Sequence, residues 1–90
     1  MKKILVACGT SENKKKFAVN TIKDYCLKEG VNVEVEGKNV YEVNLEEEKP
    51  NVIVLIGPNK FKTDIPIVVG TAFITKLNMD EACKEILSYL

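Results

Sequence analysis

Histidine is absent from this sequence. Its absence removes His-based general acid–base catalysis, a Cys–His dyad and any phosphohistidine intermediate on the chain itself. Glycine and proline are sparse, at five and three of 90 residues, which argues against a disordered or fibrous chain. Neither sign of charge is in excess. Thirteen basic and thirteen acidic residues cancel, so the long-range field that draws a protein onto nucleic acid or an anionic membrane is missing. No apolar run approaches the roughly 20 residues of a transmembrane helix. Met1-Lys2-Lys3 leads into a strand-like run with no signal-type cleavage site. These absences point to a cytoplasmic protein without nucleic-acid partners or direct membrane insertion. Three cysteines, Cys8, Cys26 and Cys83, have neither paired spacing nor a neighbouring histidine, so no disulfide framework, metal site or cofactor is expected.

An apolar fraction of 46 % over 90 residues supports one small core, read as a single domain over 1–90. The run Lys3 to Cys8 is continuously apolar and β-branched, the mark of a strand covered on both faces. From Glu12 to Lys28, the residues Phe17, Ala18, Ile22, Tyr25 and Cys26 share one side of a 3.6-residue repeat, which predicts an amphipathic helix capped by Gly30. Val31, Val33 and Val35 alternate with polar residues in a second strand that Gly37 terminates. Residues 38–49 read as a short helix or a turn anchored by Val40, Val43 and Leu45. Asn51 to Ile56 repeats the buried-strand pattern and is stopped by Gly57-Pro58-Asn59. Ile65 to Val69 reads as a fourth strand with its proline near the start. Asn78 to Glu81 resembles a capping box, and Met79, Ala82, Cys83, Ile86, Leu87 and Leu90 form a regular closing helical stripe. The order predicts an α/β fold: an open four-stranded parallel sheet flanked by helices on both faces, a Rossmann-like three-layer sandwich.

In such sheets, ligands bind beyond the carboxyl ends of the strands, and the turn after the first strand is the usual place. Cys8 sits there. The loop Gly9, Thr10, Ser11, Glu12, Asn13, Lys14 and Lys15 would wrap backbone N–H groups around one point and lead into the amino end of a helix, an anion-binding arrangement. The same surroundings favour a thiolate, so Cys8 is the candidate nucleophile for an S-phosphoryl intermediate held by the loop. The competing reading is a strand-end thiol that packs as a small hydrophobe. Cys26 and Cys83 fall on apolar helix faces and read as core.

Ile4-Leu5-Val6-Ala7-Cys8-Gly9-Thr10 and Pro66-Ile67-Val68-Val69-Gly70-Thr71-Ala72-Phe73-Ile74-Thr75 together resemble the galactitol-type IIB component of the phosphoenolpyruvate-dependent sugar phosphotransferase system, with its lactose/cellobiose-like IIB fold. The resemblance implies a phosphotransferase that carries phosphate transiently on Cys8. The phosphoryl group would arrive from a phosphohistidine on a IIA phosphocarrier and leave to a sugar held in a IIC membrane permease. The family's phosphate loop maps onto Gly9 through Lys15. There the chain departs from the usual second glycine and small hydroxyl residues: Ser11 tolerates positive φ less well, and Glu12 brings a negative charge that Lys14 and Lys15 would have to offset.

Two alternatives remain at this level. A low-molecular-weight Cys-based phosphatase would need an arginine where Lys14 stands, with Asp64 as its general acid. A non-catalytic relative would keep the fold with a degenerate loop. Asn59, Lys60 and Phe61 are expected at the same end of the sheet as Cys8 and are candidate partner-binding residues, with Phe61 as anchor.

Overall fold

The computed structural model describes residues 2–9, 12–56 and 63–90. Its elements run β1 (Lys2–Cys8), α1 (Glu12–Lys28), β2 (Val33–Asn39), α2 (Leu45–Glu48), β3 (Val52–Ile56), β4 (Ile67–Val69), α3 (Ala72–Thr75) and α4 (Met79–Ser88). The four strands form one sheet in the order β2-β1-β3-β4, and every pairing is parallel. This is the open α/β sheet the sequence predicts.

Side-chain alternation divides the core in two. Ile4, Val6 and Cys8 of β1, Val35 of β2, Val52, Val54 and Ile56 of β3 and Val68 of β4 face Ala18, Ile22 and Cys26 of α1, Phe73 of α3, and Cys83 and Ile86 of α4. On the other face, Ala7, Ile53 and Leu55 pack with Val40, and Val43, Leu45, Ile65 and Ile67 lie against them. Both faces of β1 and β3 are therefore closed, which is why their sequences are apolar without alternation. Among the described residues, the second face is covered by the four-residue α2 and by connecting segments.

The end of α1 follows its local chemistry. Gly30 adopts φ 69°, its N–H donates to the Leu27 carbonyl and that of Val31 donates to the Cys26 carbonyl. The helix closes in a Schellman motif that a residue with a Cβ would strain. At α2, the Asn44 side chain accepts from the Glu46 N–H, and Val40, Val43 and Leu45 anchor the segment as expected.

Three sequence expectations need correction, and one element was not expected. Gly37 does not end β2, which continues to Asn39. A Cβ at Gly37 would stand 2.8 Å from Lys15 Cγ and 2.9 Å from a Val19 methyl, so this glycine lets α1 lie close over the edge strand. Strand β4 begins at Ile67 rather than Ile65, because Pro66 has no N–H for the ladder and contributes only its carbonyl, which accepts from the Ile53 N–H at 2.9 Å. Asn78 makes no side-chain cap bond and sits in the left-handed region at φ 59°, so α4 starts without a capping box. The short helix α3 was not foreseen. The turn at 57–59 lies outside the described residues.

Candidate functional site

The strand order sets the location. From β1 the chain crosses to β2 on one side, then returns past β1 to β3 on the other. The carboxyl ends of β1 and β3 therefore flank the point where the connections diverge, the ligand-binding crevice of open parallel sheets. Cys8 is the last residue of β1, paired with Ile56 of β3 and Asn39 of β2.

Its side chain faces α1 and is 3 % exposed, within the main core. The Cys8 carbonyl accepts from the Val40 N–H at 2.7 Å, and the Gly9 N–H donates to the Ile56 carbonyl at 3.2 Å. The Gly9 amide is thus engaged with β3. Any amide cradle at this point has to be built from the residues that follow it. The amino end of α1 supplies such amides, since the first turn of a helix has N–H groups without intrahelical partners.

Within that turn, Glu12 is answered locally: its carboxylate lies 2.9 Å from Lys15 Nζ. That ion pair offsets the charge that set Glu12 against an anion site, and the Lys15 stem lies across Gly37. Asn13 and Lys14 instead line a groove with Phe17, Phe73, Ile74 and Lys76. Thr10 and Ser11 of the expected phosphate loop, and Asn59, Lys60 and Phe61 of the expected partner surface, lie outside the described residues. Asp64 is exposed.

The other two thiols belong to the same core. Cys26 and Cys83 are both buried, and burial pushes both thiols up, Cys83 to about 11. They are poor nucleophiles at neutral pH. Among the described residues there is no disulfide and no cluster of three side chains able to hold a metal ion. No helix among them is long and apolar enough to cross a membrane.

Sequence reasoning missed an ionic cluster on the second face. Glu48 of α2 accepts from both Lys3 of β1 and Lys38 of β2. Glu36 completes it, 2.9 Å from Lys3 and 3.7 Å from Lys38. Bonds from Lys3 and then Lys38 hold the Glu48 carboxyl down at about 2. The signal was present in the alternation of β2, which puts Glu36 and Lys38 on the face opposite Val35. The partner in α2 could not be read from the strand alone.

No family model matches the chain, and no curated protein matches it. Among solved structures, it is similar to the solution structure of an uncharacterized Listeria protein, lmo0427, at 20 % identity and a TM-score of 0.58, over 100 % of this chain and 94 % of the other. That likeness concerns the fold.

Proposed function

We propose that the protein is a cytoplasmic phosphocarrier of the IIB type, a phosphotransferase that accepts a phosphoryl group on Cys8 from a IIA phosphohistidine and gives it to a sugar bound in a IIC permease. The observation that supports this reading is the position of Cys8: the last residue of a central parallel strand, at the diverging crossovers, separated by three residues from the amino end of a 17-residue helix. The chemistry asks little of the protein. The Cys8 thiolate attacks phosphorus, the S–P bond forms as the P–N bond of the donor breaks, and the departing imidazole takes up a proton. In the second transfer a sugar hydroxyl attacks phosphorus, the O–P bond forms as the S–P bond breaks to release the Cys8 thiolate, and the hydroxyl proton passes to solvent. Helix-end amides offset charge on the transferred group, so a chain without histidine can serve when the donor supplies the imidazole. A sulfur that is 3 % exposed also requires the atoms covering it to move aside for each transfer.

The test is mass spectrometry after incubation with a phosphorylated IIA protein. One phosphate at Cys8, absent in Cys8→Ser, is the expected result. An unmodified wild-type chain, or a phosphate mapped to another residue, rules the assignment out.

A further inference from the structure

Side chains at partnered positions of a parallel ladder share one face of the sheet. On the face that carries Cys8, the pairings give three rows across β2, β1 and β3: Val35–Ile4–Val52, Gly37–Val6–Val54 and Asn39–Cys8–Ile56. The first two rows bring no polar side chain to the core under α1. The third, at the carboxyl edge, sets a carboxamide beside the sulfur on one side and an aliphatic side chain on the other. Backbone bonds fix the strand end that bears this amide. The Val40 N–H donates to the Cys8 carbonyl at 2.7 Å, and the Glu42 N–H donates to the Asn39 carbonyl at 2.9 Å, closing a turn over residues 39–42. Asn39 Oδ1 accepts from the Tyr41 N–H at 2.9 Å. A backbone N–H is met by the amide oxygen and not by its nitrogen, so this bond also settles the orientation of the carboxamide: Nδ2, with two donor protons, is the end directed away from the Tyr41 N–H. The turn asks for an acceptor at position 39, and Asp or Ser would serve it as well. The two amide donors are surplus to that task.

We propose that the Asn39 amide donates a hydrogen bond to the Cys8 thiolate, and then to an oxygen of the phosphoryl group that the sulfur carries; the proposal rests on the phosphocarrier reading of Cys8. Neighbouring strands stand about 4.8 Å apart, so an oxygen joined through phosphorus to the sulfur comes within reach of an amide on the partnered residue. The interaction moves no proton. The amide stays neutral and offsets negative charge, which sits on sulfur before transfer and on the phosphoryl oxygens after it. A side-chain donor on β2 matters here because the Gly9 amide is committed to the Ile56 carbonyl. Being uncharged, it also holds the group less firmly than a lysine would, which suits a phosphate that must be released again. Ile56, the neighbour on the other side, offers packing alone.

Two variants of the full chain test this. Asn39→Asp keeps the oxygen that meets Tyr41 and replaces the donors with a carboxylate oxygen, whereas Asn39→Ser keeps an acceptor for the turn, withdraws the amide and brings no charge. Matching circular dichroism spectra verify folding; if Asn39→Asp does not fold, Asn39→Ser decides alone. The readouts are the pH dependence of iodoacetamide alkylation, mapped to Cys8 by mass spectrometry, and the rate of phosphoryl transfer from a phosphorylated IIA protein. In Asn39→Asp the Cys8 thiol should titrate about one pH unit or more above wild type, as for a thiolate set beside a like charge. In Asn39→Ser transfer should fall about ten-fold or more, as for one donor lost at a charged transferring group. An unshifted thiol in Asn39→Asp puts the side chain away from the sulfur and overturns the proposal. Wild-type transfer by Asn39→Ser also overturns it, reduces Asn39 to a turn residue and leaves the phosphocarrier reading standing. A wild-type chain that takes no phosphate overturns both.

Discussion

Lys15 lies across Gly37, its Cγ 2.8 Å from the point a Cβ would occupy, with a Val19 methyl at 2.9 Å beside it. Helix α1 can rest on the edge strand only because residue 37 has no side chain. Gly37→Val should therefore destabilise the fold by about 1–3 kcal/mol, the usual cost of overpacking, despite valine's preference for strands. Urea denaturation measures it. A neutral or stabilising result would mean that α1 can stand off from β2 without loss.

Gly70 gives a sharper case. A Cβ there would fall 2.6 Å from Ile56 Cγ1 and 3.1 Å from the Leu55 carbonyl oxygen, while the Gly70 N–H donates to that same oxygen at 2.7 Å. Backbone cannot yield as a lysine stem can. Gly70→Ala should cost about 2 kcal/mol or more. An unchanged urea midpoint would contradict the close approach of β4's end to β3.

The ionic cluster makes stability depend on acid. Glu48 has its carboxyl lowered from 4.5 to about 2 by its bonds to Lys3 and Lys38. A depressed folded-state value means that the contribution is complete above pH 4.5 and disappears as pH falls toward 2. The difference in stability between wild type and Glu48→Gln should be largest near neutral pH and shrink through that window. A difference that is constant with pH would assign the effect of Glu48→Gln to packing instead.

Thiol labelling separates core cysteines from the fold's edges. With Cys83 raised to about 11 by burial, its thiolate fraction at neutral pH is on the order of one in ten thousand. In a Cys8→Ala background, Cys26 and Cys83 should resist an aromatic disulfide reagent in the native state and react promptly in urea. Rapid native labelling of either would place that thiol outside the core.

What the sequence revealed depended on the range of the interactions involved. Helix α1 was legible to both ends because its stripe, its acidic first turn and Gly30 are all local. Strands β1 and β3 were legible because burial on both faces leaves uninterrupted apolar runs. Gly37 was misread because its purpose is a contact with α1, some twenty residues away in sequence. Asn78 carried the right residue type for a cap, yet its left-handed backbone aims the side chain elsewhere. Helix α3 is a single turn, too short for periodicity to register. For the site, Cys8 and its place on the edge were readable, whereas the engagement of the Gly9 amide by Ile56 and the groove between α1 and α3 depend on elements distant along the chain.

The two-residue repeat of β1 acts as an address for its last side chain. Ile4, Val6 and Cys8 count in step toward the thick helical layer, and Leu5 and Ala7 toward the thin one. One residue inserted or deleted between Ile4 and Cys8 would turn the sulfur over to the side of Val40 and Leu55, away from the mouth of α1, while leaving its position along the strand almost unchanged. Strand length upstream of Cys8 thus decides which of the two layers its sulfur faces.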